Sequence, residues 1–191
     1  MPQIERLTSK PSRTAPVALV LPGAGYTVQA PLLYWPVLAL TQAGWDVWSV
    51  DWHADVKGPA PRDIAQFVED AVAQALAEIP DAPAAVIGKS LGTYALPYFV
   101  DWKVRAAWLT PILTDPRIAQ AACGASDRHL FVGGTADPTW RPEGVLNPHS
   151  ETITVESGNH SLEMTETGWR SSAFDQIEVL RRLVDHVTAR P

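Results

Sequence analysis

The chain has 191 residues, of which 46% are hydrophobic and 19% are charged, a composition that is typical of globular proteins and excludes extensive disorder. Its formal net charge is −6 and its basic residues form no cluster, so we expect neither nucleic acid nor a membrane surface as a partner. No apolar run approaches the roughly 20 residues that span a bilayer, and the first residues form no signal segment, which predicts a cytoplasmic protein.

The chain shows no internal repeat and no long linker, so its length predicts a single domain over 1–191. Its one cysteine, Cys123, cannot form an internal disulfide. Because Cys123 lies in an Ala-rich stretch, we expect a small buried side chain there rather than a nucleophile.

Strand-like and helix-like segments alternate along the chain. The short runs that are rich in aliphatic, β-branched and aromatic residues predict buried strands over 17–21, 47–50, 84–87, 106–109, 130–132 and 152–155. Strands that alternate with helices indicate a parallel sheet with helices on both faces. We therefore predict an α/β protein, a three-layer α/β/α sandwich with a mostly parallel sheet of about six or seven strands.

The helices are predicted from residues that start or end a helix and from the spacing of apolar residues. Pro31 and Gly44 bracket a first helix, 32–43, and a second over 64–79 has one apolar face and ends at Pro80. A short helix follows Ser90. The last helix has Ser172 as its predicted N-cap. Its apolar face is predicted to consist of Ile177, Leu180, Leu183, Val184 and Val187.

A Gly-x-Ser-x-Gly motif lies between the predicted strand 84–87 and the short helix. It reads Gly88-Lys89-Ser90-Leu91-Gly92. In this context the serine stands on a sharp turn that exposes its hydroxyl, and the glycines avoid collisions with neighbouring strands. The helix that follows directs its N-terminal amides toward a developing oxyanion. The motif predicts that Ser90 is a nucleophile.

With this motif between a strand and a helix, and with an aspartate and a histidine after later strands, the chain resembles the α/β-hydrolase superfamily as a small, lidless serine hydrolase. The family places its catalytic residues in the order serine, acid, histidine. The resemblance implies Asp137, in the glycine turn after strand 130–132, as the acid, and His160, after the last strand, as the base. Asp115 remains an alternative acid, because some members take the acid from the preceding strand.

The resemblance also implies an oxyanion loop after the first predicted strand, in Pro22-Gly23-Ala24-Gly25-Tyr26. The predicted donors are the backbone amides of Ala24 and Leu91, with Gly25 or Tyr26 as alternatives to Ala24. Proline stands where the family commonly has histidine, but the loop acts through its backbone. Lys89 also departs from the usual pattern. We expect it to point to solvent, the alternative being that it assists an anionic substrate.

These residues predict that Ser90 attacks an acyl carbonyl, with His160 as general base and Asp137 orienting the imidazole, through an acyl-enzyme and without metal or cofactor. The family's usual lid follows the strand that ends at Leu109, and here the short stretch from Thr110 to Asp127 leaves little room for one, which favours a small or extended ester, thioester or related acyl substrate. Residues in loops at the same edge are predicted to line the site: Tyr26, Trp52, His53 and Trp140. The alternatives are a catalytically weak binding protein and an acyltransferase with the same triad, and the oligomeric state is left open.

Overall fold

The computed structural model describes residues 2–57, 62–164, 166 and 168–189. The predicted domain, 1–191, also includes residues 1, 58–61, 165, 167 and 190–191, which lie outside the described ones. In chain order the described elements are β1 (Gln3–Arg6), β2 (Val17–Leu21), α1 (Pro31–Gln42), β3 (Asp46–Asp51), α2 (His53–Val56), α3 (Ile64–Glu78), β4 (Ala85–Lys89), a 3-10 helix (Ser90–Ala95), α4 (Leu96–Phe99), β5 (Arg105–Leu109), α5 (Pro116–Gly124), β6 (His129–Gly134), β7 (Glu151–Val155) and α6 (Trp169–Thr188).

The seven described strands form one sheet with the order β1-β3-β2-β4-β5-β6-β7. β1 is antiparallel to β3, and all other neighbouring strands are parallel. Parallel neighbours require crossover connections, which the helices supply. The predicted fold class, an α/β sandwich with a mostly parallel sheet, is confirmed.

Helices cover both faces of the sheet and create a core on each face. Because side chains alternate along a strand, Leu19 of β2 packs into one core and Val20 into the other. The first core includes Val72 of α3 and Ile118 of α5. The second core includes residues of α1 and α6, among them Leu183. The carboxyl ends of the parallel strands, where the predicted catalytic residues follow, meet at one edge of this sandwich.

The six predicted strands are all present, with ends shifted by a residue or two, but β1 was not predicted. Its sequence holds one aliphatic residue, Ile4, among polar ones, and β1 is a short edge strand that is largely exposed. Ile4 lies opposite Val50 of β3. The guanidinium of Arg6 donates two hydrogen bonds of 2.8 Å to Asp46, so long-range pairing defines this strand.

Three predictions about side chains in helices are wrong. Ser172 does not cap α6, which begins at Trp169. Ser172 is buried within the helix, where its hydroxyl accepts a hydrogen bond of 2.8 Å from the amide of Met164. Ile177 is 62% exposed, although its spacing matched the apolar face. Cys123 is exposed rather than buried, because it lies on the outer face of the last turn of α5.

The helices in the described part of the chain include none with the combined length and hydropathy of a membrane span.

Candidate active site

Ser90 stands on a strained turn between β4 and the 3-10 helix. Its φ is +50°, a left-handed conformation that side chains other than glycine rarely adopt. A Cβ on Gly88 would lie 2.8 Å from the Trp108 ring, and a Cβ on Gly92 would collide with the backbone of Leu21. Both glycines of the motif are therefore required by close packing, as the sequence predicts.

The three side chains predicted to act together lie in one hydrogen-bonded series. His160 Nε2 is 2.8 Å from Ser90 Oγ, and His160 Nδ1 is 2.6 Å from Asp137 Oδ2. The three residues follow the carboxyl ends of β4, β6 and β7, so the parallel sheet brings them to the same edge. The imidazole is part-exposed, whereas the Asp137 side chain is fully enclosed.

Thr139 holds the carboxylate of Asp137, a role that the sequence analysis missed. The amide and the hydroxyl of Thr139 both donate to Asp137 Oδ1, at 2.9 and 2.8 Å. Burial acts to raise the pKa of Asp137, but the hydrogen bonds from His160 and Thr139 outweigh it, and the pKa lies below its usual value. Asp137 is therefore ionised at neutral pH. The signal in the sequence was the Asp-x-Thr spacing of a local turn.

The alternative acid, Asp115, serves another purpose. Its side chain caps the N-terminus of α5 by accepting a hydrogen bond of 2.9 Å from the amide of Arg117. Its other oxygen accepts a hydrogen bond of 3.0 Å from the hydroxyl of Tyr94. Asp115 is thus engaged as a helix cap, and the hydrogen bond to His160 is made by Asp137.

The predicted oxyanion loop lies directly beside the serine. A Cβ on Gly23 would be 3.4 Å from Ser90 Cβ, and the amide of Gly92 donates a hydrogen bond of 3.1 Å to the carbonyl of Pro22. Leu91 occupies the first turn of the 3-10 helix, where backbone amides lack intrahelical acceptors. Ala24 is exposed at the tip of the loop. The assignment of their amides as donors stays a prediction.

Two of the four residues predicted to line the site do not line it. Trp52 is fully buried in the core against Phe67, and Trp140 is 3% exposed and packs on Gly133. Large aromatic rings at these positions fill the core because it offers more apolar contact than the open edge does. Tyr26 and His53 are part-exposed at the predicted edge.

His53 lines a cleft of about 220 Å³ together with Pro22 and Thr27. Because Pro22 belongs to the predicted oxyanion loop, the cleft adjoins that loop. The hydroxyl of Tyr26 accepts a hydrogen bond of 3.0 Å from the amide of Leu32, and the Cβ of Tyr26 lies beside Gly23.

Lys89 contradicts the expectation that it points to solvent. It is 1% exposed, and its ammonium donates hydrogen bonds to Thr110 Oγ1 at 2.8 Å and to the carbonyl of His160 at 2.9 Å. The side chain turns inward because these two acceptors and the ring of Tyr26 surround it.

Comparison with solved structures assigns this architecture to a known fold. The chain is similar to an α/β serine hydrolase without a lid from Xanthomonas campestris, with a TM-score of 0.65 and 16% identity over 100% of this chain and 97% of that one. It is also similar to an α/β serine hydrolase homologue from Coxiella burnetii (TM-score 0.66, 17% identity, 98% and 91% coverage).

A third similar structure is a carboxylesterase from Bacillus subtilis (TM-score 0.64, 12% identity, 100% and 93% coverage). No protein-family model matches the sequence, and none of the curated proteins matches it. The chain therefore has the α/β-hydrolase fold, as the resemblance implied. At these identities the similarity concerns the fold, and the chemistry rests on the site itself.

Proposed function

We propose that the chain is a serine hydrolase that cleaves an ester, thioester or related acyl bond through an acyl-enzyme. The observation that carries the proposal is the series of short hydrogen bonds from Ser90 through His160 to Asp137 at the strained turn. A nucleophile, a base in contact with it and a third group that orients the base are the arrangement that acyl transfer requires.

In the proposed mechanism Asp137 accepts the Nδ1–H of His160, so that Nε2 carries a lone pair directed at the hydroxyl of Ser90. Nε2 takes the proton as Ser90 Oγ attacks the acyl carbonyl. The imidazolium then donates this proton to the leaving group, and the carbonyl bond reforms as the acyl-enzyme. A water molecule, deprotonated by the same nitrogen, then attacks the acyl-enzyme, and the imidazolium returns its proton to Ser90 Oγ as the bond between Oγ and the acyl group breaks and the carboxylic acid leaves.

The amides of Leu91 and Ala24 are the proposed donors to the oxyanion. Leu91 follows the nucleophile at the start of a helix, and Ala24 belongs to the loop that packs beside Ser90. A donor of this kind typically contributes about 3 kcal/mol to stabilisation of the transition state. Because the contribution comes from backbone, side-chain changes at either position are expected to have modest effects.

The proposed substrate carries a short acyl group. The connection from β5 to β6, where a lid would be inserted, spans residues 110–128 and contains only α5. This short connection supports a shallow site that leaves a long acyl chain in water.

A series of p-nitrophenyl and thioester substrates of increasing acyl length tests the proposal. Each methylene that is fully buried contributes about 0.8 kcal/mol, and a shallow site provides little of this gain. We expect kcat/KM to level off or fall after about four to six acyl carbons, the length at which further methylenes remain in water. A steady rise up to long chains would contradict a shallow site, and no turnover of any member would contradict the hydrolase.

A further inference from the structure

Lys89 is a buried cation directly beside the proposed nucleophile. Its side chain is 1% exposed at the end of β4, and its hydrogen-bond partners, the hydroxyl of Thr110 and the carbonyl of His160, are neutral. Burying an ammonium group costs free energy that neutral partners recover only in part. A methionine or leucine would fill the same space without that cost. The charge at this position therefore calls for a functional explanation.

The ammonium group joins separate segments of the catalytic edge. Its Nζ donates hydrogen bonds to Thr110 Oγ1 at 2.8 Å and to the His160 carbonyl at 2.9 Å, and it lies 4.6 Å from the centroid of the Tyr26 ring. Thr110 follows β5, His160 follows β7 and Tyr26 belongs to the oxyanion loop. A protonated lysine has one N–H group for each of these three segments.

The contact with His160 is the one that bears on chemistry. The imidazole of His160 must keep hydrogen bonds to Ser90 and Asp137 at its two ends. Lys89 holds the carbonyl of the same residue, and Lys89 is covalently bonded to Ser90. The backbone of the base is thereby tied to the backbone of the nucleophile. A displacement of about 1 Å in such a pair can lower the rate about a hundredfold.

We propose that Lys89 is a positioning residue that holds His160 in reach of Ser90 by binding the His160 carbonyl. The proposal rests on the proposed hydrolase function. It assigns to Lys89 no contact with the substrate.

The protonation state of Lys89 supplies a readout that a purely structural residue would lack. Burial lowers the pKa of Lys89 to about 8, and the negative charge of Asp137 opposes this shift. The ionisable groups around it are Asp137, the His160 imidazole and Tyr26, with Glu163 acting on Tyr26. A neutral amine has two N–H groups for three acceptors. The hold of Lys89 on the His160 carbonyl therefore weakens as Lys89 loses its proton.

The test compares Lys89→Met with Lys103→Met, a matched substitution at an exposed lysine away from the site. Values of kcat and KM for a short p-nitrophenyl ester are measured from pH 6 to 10. The wild type should lose kcat on the alkaline side around pH 8. In Lys89→Met we expect kcat to fall about ten- to a hundredfold with KM little changed and the alkaline loss absent. Lys103→Met should match the wild type.

An alkaline limb that stays unchanged in Lys89→Met would overturn the proposal whatever the value of kcat, and so would a wild-type kcat. If the wild type neither hydrolyses esters nor reacts with a fluorophosphonate, the proposed function fails instead, so the two failures are distinguishable. If the circular dichroism spectrum shows that Lys89→Met does not fold, Thr110→Val decides. It removes one acceptor of the ammonium and should move the alkaline limb to lower pH, whereas an unmoved limb would overturn the proposal.

Discussion

Asp137 directs its two carboxylate oxygens to different partners. Oδ1 accepts both hydrogen bonds from Thr139, which leaves Oδ2 to His160 alone. A carboxylate that is fixed by two donors on one side presents the other oxygen in a single direction. The imidazole is therefore held in the tautomer that leaves Nε2 free to accept a hydrogen bond from the hydroxyl of Ser90.

The comparison of Asp137→Asn with Asp115→Asn tests this assignment. The amide of asparagine can donate to Nδ1 and thus favour the wrong tautomer of His160, so kcat of Asp137→Asn should fall roughly 10⁴-fold. The variant Asp115→Asn should still cap α5, because asparagine is as good an N-cap as aspartate, and its kcat should change little. Both rates are measured on a short p-nitrophenyl ester, with circular dichroism as the control for folding. A larger loss at position 115 would reverse the assignment.

At the scale of elements, the turn after β4 packs against the end of β2 and is hydrogen-bonded to the 3-10 helix that follows it. Gly92 donates to the carbonyl of Pro22, and its Cα lies so close to Leu21 that no side chain fits between them. The hydroxyl of Thr93 donates to the carbonyl of Ser90 at 2.6 Å. These contacts hold the left-handed conformation of Ser90 and place the loop 22–26 beside it.

Gly92→Ala should therefore damage the fold, whereas Gly25→Ala should not. The added methyl at Gly92 would collide with the backbone of Leu21 in β2, which cannot move without disturbing the sheet. We therefore expect the free energy of unfolding to fall by about 3 kcal/mol or more. At Gly25 a Cβ meets nothing within 4 Å, and the change should stay within about 1 kcal/mol. Urea denaturation of both variants measures the difference. Equal stabilities would show that the turn after β4 adapts to a side chain.

At the scale of the whole molecule, the sheet and its two cores were predictable because strands and helices repeat with different periods. The grouping of Ser90, Asp137 and His160 was predicted from the resemblance to the family, with each residue placed after a predicted strand. Side chains whose surroundings come from distant parts of the chain were not predictable. Lys89 turns inward because three other segments supply its acceptors, and Trp140 turns inward because Gly133 leaves space for its ring.

His129 links the core to the pH dependence of stability. It is fully buried on β6 and accepts a hydrogen bond of 3.0 Å from Trp108 Nε1. Burial, aided by the nearby His186, lowers the pKa of His129 from 6.5 to about 4. The native state therefore keeps this ring neutral, while the unfolded chain binds a proton near pH 6.5. Its contribution is fully present above that pH and is lost as the pH falls towards 4.

The variant His129→Asn keeps an acceptor for Trp108 and cannot titrate. Between pH 6.5 and 4 the wild type should lose free energy of unfolding relative to this variant by up to about 1.4 kcal/mol per pH unit. Urea denaturation at several pH values measures both curves. Parallel curves would show that His129 titrates normally in the folded protein.

The central claim, that Ser90 is the nucleophile of a hydrolase, is tested most directly by reaction with a fluorophosphonate. Intact mass and peptide mapping should show one phosphonyl group on Ser90 in the wild type and none in Ser90→Ala. The same variant should keep its fold and lose about 10⁴-fold or more of its ester hydrolysis. Modification of another residue, or hydrolysis at the wild-type rate by Ser90→Ala, would contradict the account.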